Sequence, residues 1–170
     1  SHLATHYRAV VARAIYLSQD RPDICFAAKE LSRSMANPTE IAMTKLKRLG
    51  RYLKDHMRYI SIFRYQSNPN SLRVYSDTDW AGCRSTRKST SGGIAMFGTH
   101  ILKCYSSTQS VIALSSGEAE YYGLTKASSI LLGIRGMCED MGIFLSGQVL
   151  TDASAAKGIA DRVGLGKVRH

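Results

Sequence analysis

Apolar positions recur at two different periods along the chain, and the change falls near residue 66. In the first stretch Ile24, Ala27, Ala28, Leu31 and Met35 return at helical spacing behind Pro22, which suits the first turn of a helix capped by Asp20. Asn37-Pro38-Thr39-Glu40 breaks that helix and starts another, with Thr39 as its cap. Ala42, Leu46, Leu49 and Leu53 then form one apolar stripe of an amphipathic helix. Residues 66–71 (Gln-Ser-Asn-Pro-Asn-Ser) carry no large apolar side chain and read as a linker. Beyond them the period becomes two. Leu72-Arg73-Val74-Tyr75-Ser76 alternates as a strand, and Gly92-Gly93-Ile94-Ala95-Met96-Phe97-Gly98 and Ile101-Leu102-Lys103-Cys104-Tyr105-Ser106 follow as two more. The pattern predicts an antiparallel three-strand meander, a long helix, a strand around 148–151 and a shorter helix to about Arg162. The expected organisation is a helical segment over 1–65, the linker, and an α/β (α+β) domain over 72–170 with a mixed sheet and packed helices.

Charge sharpens this picture. The 170 residues hold 23 Lys plus Arg against 13 Asp plus Glu, a net charge of +10. Such an excess favours a polyanionic partner, nucleic acid first and a membrane surface second. Lys47, Arg51, Lys54 and Arg58 line the face opposite the apolar stripe, a row able to track a phosphate backbone, although a solvated helix face carries the same pattern. Cys25, Cys83, Cys104 and Cys138 form no C-x-x-C pair, which argues against a zinc site and for reduced intracellular thiols. No apolar run reaches the length of a membrane span, so no membrane partner is expected. Both ends read as cut, and the chain as a piece of a longer protein.

The carboxylates carry the chemistry. Ser115-Ser116-Gly117-Glu118 is a capping box, which gives Glu118 a structural role at the start of the long helix. Glu120 begins a different stripe through Leu124, Ala127, Leu131, Ile134 and Cys138, the expected core face, with Glu118 on the far side. A carboxylate facing a core is costly unless a metal or donors meet it there, whereas an ordinary first-turn acid merely favours the helix dipole. Asp77 and Asp79 stand two apart on one strand, so both can look into one cleft, and side by side they repel unless a cation lies between them. They read equally well as a turn-starting pair, and the bare D-x-D also weakly matches metal-dependent glycosyltransferases. Asp152 follows Val149-Leu150-Thr151, where an acid is most often a helix cap. If these acids converge at one edge of the sheet, they suit Mg²⁺, and two such ions can hold a scissile phosphate and its attacking water.

Tyr75-Ser76-Asp77-x-Asp79-Trp80-Ala81-Gly82, Lys88-Ser89-Thr90-Ser91-Gly92, Gln109, Ala113-Leu114-Ser115-Ser116-x-Glu118-Ala119-Glu120-Tyr121 and Thr151-Asp152 together resemble the RNase H domain of copia-type retrotransposons. Tyr7-Arg8, Tyr16-Leu17, Arg21-Pro22-Asp23-Ile24, Asn37-Pro38-Thr39 and Arg51-Tyr52-Leu53-Lys54 resemble the segment that precedes it, the thumb or connection-like tail of the reverse transcriptase. The resemblance runs in unbroken order from about residue 7. It implies an RNase H-like fold and hydrolysis of the RNA strand of an RNA–DNA hybrid. It further implies that Asp77, Glu120 and Asp152 are catalytic and bind two Mg²⁺ (or Mn²⁺) ions, with Asp79 a possible addition. The rest of the Pol polyprotein is the implied partner, and the cytoplasm, in a virus-like particle, the implied location. The chain departs from the family at Ala153, where Asn is usual. Lys167-Val168-Arg169-His170 resembles the start of the block that carries the fourth acid, which would lie two residues past the end. The competing reading is a catalytically dead remnant that keeps the fold and only binds nucleic acid. A glycosyltransferase would leave Glu120 and the basic helix without a role.

Overall fold

The computed structural model describes residues 2–161, which form two compact units that meet in sequence between Arg64 and Tyr65. The first unit is helical. Helix α1 (His2–Leu17) is followed by a 3-10 turn (Pro22–Ile24), α2 (Cys25–Ser32) and α3 (Glu40–Asp55). Their apolar faces meet in one core of Tyr7, Val11, Ile24, Leu31, Ala42, Leu46 and Leu49, with Leu53 packed at its margin. The buried Tyr7 hydroxyl donates to Leu31 O at 2.8 Å and so ties α1 to α2. Thr39 caps α3, its hydroxyl accepting from Ala42 N–H at 3.2 Å.

Three expectations for this unit are corrected. Asp20 caps nothing: the chain turns at residues 18–20, and the helical restart at Pro22 is a 3-10 turn behind Arg21. Met35 lies beyond the end of α2. Helix does not persist to residue 65, because α3 stops at Asp55 and residues 56–69 are neither helix nor strand. The physical reason is local. Tyr59, Ile60, Ile62 and Phe63 are β-branched or aromatic side chains that lose rotamer freedom in a helix. Arg58 therefore lies off α3, and only Lys47, Arg51 and Lys54 remain as an exposed basic row on it.

The second unit is built on a four-stranded mixed sheet in the order β3-β2-β1-β4. β1 (Ser71–Asp79), β2 (Thr90–Phe97) and β3 (His100–Thr108) make the antiparallel meander, and β4 (Ser146–Leu150) lies parallel to β1. Gln66 fastens the turn between β2 and β3. Its amide donates to Phe97 O at 3.0 Å and its carbonyl accepts from Thr99 N–H at 2.8 Å. Helix α4 (Ser116–Asp140) packs on the sheet and α5 (Ser154–Ala160) follows β4. Burial along β1 alternates: Leu72, Val74, Ser76 and Thr78 are inside, Arg73, Tyr75, Asp77 and Asp79 outside. The apolar core is Leu72, Val74, Ala95, Ala127, Leu131 and Leu145. The expected extension of the last helix to Arg162 and the Lys167-Val168-Arg169-His170 block lie outside the described residues.

Candidate active site

Helix α4 is set by its cap and its small residues. Ser115 Oγ accepts from Glu118 N–H at 3.2 Å, and Glu118 Oε2 accepts from Leu114 N–H at 2.7 Å, one residue before the cap. Glu118 is buried in this role rather than projecting away from the core. The face of α4 that meets the sheet runs through Ala119, Gly123, Ala127 and Leu131. This corrects the expected stripe by about one residue, and Glu120 and Leu124 lie on its half-buried margin. Close approach is the reason. A Cβ at Gly123 would strike Thr78 Oγ1 and come within 3.2 Å of Ser76 Oγ, so only glycine lets the helix lie this near β1.

That approach carries Glu120 to the acid end of β1. Burial raises the Glu120 carboxyl above the usual carboxylate range, and the negative charges of Asp77 and Asp152 raise it further. Thr78, through its backbone and hydroxyl, offsets the rise only in part. Glu120 Oε2 is buried and has no hydrogen-bond partner. Asp77 and Asp152 border one open cleft of about 610 Å³, together with Tyr75, Gly92, Gly93 and Leu150. The parallel pairing of β1 and β4 makes this inevitable, because both acids lie just past the Tyr75–Leu150 pair at the same end of the sheet.

The two aspartates of β1 part company here. The carboxyl of Asp79 folds along the following turn, where a Cβ on Gly82 would collide with it. Asp79 neither lines the cleft nor acts on Glu120. The cap reading of Asp152 also gives way. Ala153 is the cap residue of α5 and makes no side-chain cap bond, and the Ala153 N–H donates instead to Thr151 Oγ1 at 3.2 Å. Asp152 is exposed at the cleft. The basic row of Lys47, Arg51 and Lys54 belongs to the helical unit, and the three acids to the second unit.

Several residues that patterning passed over support the site. Gln109 is buried, and its amide donates to Ser91 Oγ at 2.9 Å and Ala119 O at 2.8 Å, joining the end of β3 to the first turn of α4. Ser76 Oγ, Thr78 Oγ1 and the Tyr105 hydroxyl are buried close by, Thr78 beside Glu120 and Ser76 beside Tyr105. Small residues four apart on α4 were the legible signal for this packing.

An all-oxygen acid set with an orphaned, mutually repelled carboxylate is chemically suited to a hard divalent cation, which would lift that repulsion. As the side chains stand, no group of three or more His, Cys, Asp or Glu among the described residues is drawn together tightly enough to hold one. None of the four cysteines forms a disulfide, and among the described residues no helix is long and apolar enough to cross a membrane.

Comparison with known proteins places the chain. It is 39% identical over 142 residues to the retrovirus-related Pol polyprotein from transposon RE1 of Arabidopsis thaliana, covering 84% of this chain and 10% of that protein. It is 30% identical over 138 residues to the Pol polyprotein from transposon TNT 1-94 of Nicotiana tabacum, covering 81% of the chain and 10% of that protein. The secreted RxLR effector protein 161 of Plasmopara viticola is 35% identical over 123 residues, which is 72% of the chain and 86% of the effector. The chain thus spans about a tenth of the length of the polyproteins it matches. No family model matches the chain, and no solved structure does.

Proposed function

The chain belongs to the retrovirus-related Pol polyproteins of copia-type transposons, and we propose that its second unit is the ribonuclease H part of such a polyprotein. The reaction is hydrolysis of the RNA strand in an RNA–DNA hybrid. The observation that carries this reading is Glu120: a half-buried acid with an orphaned oxygen, held where the charges of Asp77 and Asp152 both reach it. A carboxyl raised by burial and by two neighbouring acids beside a cleft is the pattern of a functional site.

Asp77, Glu120 and Asp152 would hold two Mg²⁺ or Mn²⁺ ions, which supply charge neutralisation and an activated water at the scissile phosphate. The protein's own part is to present the three carboxylates from β1, α4 and the end of β4. Asp79 is left outside the metal set, turned toward Gly82. The basic row on α3 supplies a second, sequence-independent hold on the nucleic acid. The remainder of the polyprotein is the proposed partner, and a cytoplasmic virus-like particle the proposed setting.

A second reading, a remnant that binds nucleic acid without cutting it, is favoured by the absence of a closed metal-holding group among the described residues. One experiment separates the two. A labelled RNA–DNA hybrid is incubated with Mg²⁺ or Mn²⁺ and this chain, its Glu120→Gln variant, or a form extended past His170. Cleavage by the extended form that disappears with Glu120→Gln supports the nuclease. Tight binding by every form without cleavage leaves the remnant.

A further inference from the structure

The turn joining β1 to β2 is rich in positive charge and unusually well fastened. Residues 80–89 contain no acid and carry Arg84, Arg87 and Lys88. None of these three cations forms an ion pair among the described residues, and both arginines are exposed. The backbone beneath them is held from within. Cys83 N–H donates to Lys88 O at 3.2 Å, Arg87 N–H to Cys83 O at 2.7 Å, and Ala81 N–H to the fully buried Ser89 hydroxyl at 3.0 Å. These bonds hold two non-glycine residues in the left-handed region, Ala81 at φ 53° and Arg87 at φ 55°. Such strain costs free energy and persists where its surroundings over-determine it, as at ligand clamps.

Position gives the strain a purpose. Asp77 pairs with Gly92 and Asp79 with Thr90, so both ends of the turn lie two residues from Asp77, about 7 Å along a strand. We propose that Arg84, Arg87 and Lys88 form a preorganised phosphate clamp that holds the sugar–phosphate backbone of a nucleic acid strand beside the acid cluster. The inference rests on the nuclease reading of that cluster. It also explains Ser89, in the Lys88-Ser89-Thr90-Ser91-Gly92 block, because the serine fixes the turn so that the cations are presented rather than free to wander.

The test is binding of a labelled RNA–DNA hybrid by the full chain, without divalent metal, over a series of KCl concentrations. The variants are Arg84→Gln/Arg87→Asn/Lys88→Gln, with Asn chosen because it tolerates positive φ, and Ser89→Ala, which keeps every cation. A comparator changes Lys47, Arg51 and Lys54 to Gln. The turn triple is expected to flatten the slope of log affinity against log salt by about 2 to 3, roughly one for each phosphate no longer neutralised. Ser89→Ala is expected to weaken binding while leaving the slope near wild type. A turn triple that folds, as judged by circular dichroism, and keeps the wild-type affinity and slope overturns the clamp and leaves the nuclease reading standing. A wild-type chain that does not bind hybrid at all overturns both. Loss of binding to phosphatidylserine vesicles, with hybrid binding intact, would assign the turn to a membrane surface and likewise overturn the clamp.

Discussion

The two ends of the β1–α4 contact are built from the same strand and the same helix, yet they are opposites. At one end Leu72 and Val74 meet Ala127 and Leu131 in a fully apolar core. At the other Ser76, Thr78 and Glu120 bring buried oxygens together, and Glu120 Oε2 finds no partner. Burial of apolar surface stabilises the first end, on the order of 25 cal/mol for each Å² removed from water. The second end offsets some of that gain, since an unpaired buried polar group costs about 1–3 kcal/mol. What the contrast teaches is that this domain is stabilised at one end of an interface and kept chemically available at the other.

The contrast can be attacked from its stable end first. Leu72→Ala should lower stability by about 2–5 kcal/mol, whereas Ser76→Ala, which removes one small buried hydroxyl beside Tyr105, should cost only about 1 kcal/mol. Urea midpoints of the two variants decide the matter, and equal losses would abolish the distinction between the ends. Next in size is Glu120→Gln. Removing a residue that merely orients a metal ligand costs roughly 10–100-fold, so removing a ligand itself should cut hybrid cleavage by at least about 10²-fold. The same variant should match or exceed wild type in thermal stability without metal, because it removes a repelled charge. A variant that loses both activity and stability would make Glu120 a structural acid.

A finer test uses one substitution at two places on α4. Gly133 has open space around it, so Gly133→Ala should stabilise by about 0.5–1 kcal/mol through helix propensity alone. At Gly123 the added methyl meets Thr78 Oγ1, so Gly123→Ala should destabilise instead and reduce cleavage by displacing Glu120. Thermal melts that move the same way for both would show that α4 does not depend on close approach at its first turns.

The smallest effect is a pH dependence. The Glu120 carboxyl is raised in the folded state by burial and then by Asp77 and Asp152, above its ordinary value of 4.5. The folded form therefore holds this proton more tightly than the unfolded form. Its stability contribution is complete below 4.5 and is lost as pH rises through the elevated folded-state value. In metal-free buffer the stability of Glu120→Gln relative to wild type should accordingly grow as pH increases over this range. A difference that stays flat with pH would mean that Glu120 feels neither the burial nor its neighbours.

Much of this was legible from local pattern. Period-two alternation at Leu72 and Val74 marked β1, and Thr39 and Ser115 announced the starts of α3 and α4 through cap chemistry that involves only neighbouring residues. Glu120 stood out by its position on the helix, whereas spacing left Asp77 level with Asp79 and read Asp152 first as a helix cap. What pattern misjudged were matters of packing between elements. The large side chains of α4 suggested a core face through Glu120 and Leu124, but the helix packs through Ala119 and Gly123 because a sheet is approached most closely by the smallest residues. Spacing could not separate Asp77 from Asp79; the turn at Gly82 did, by drawing the second carboxyl away.

By itself, then, the sequence determined the kinds of element, their order and the inventory of acids, because periodicity and capping are properties of one stretch of chain. Tertiary structure decided which face of α4 lies on the sheet, that β4 runs parallel beside β1, and hence that Asp77 and Asp152 share a cleft with Glu120 close by. Those outcomes depend on two surfaces fitting together, and the energies that select them, close packing and the repulsion of neighbouring charges, exist only once distant residues have met.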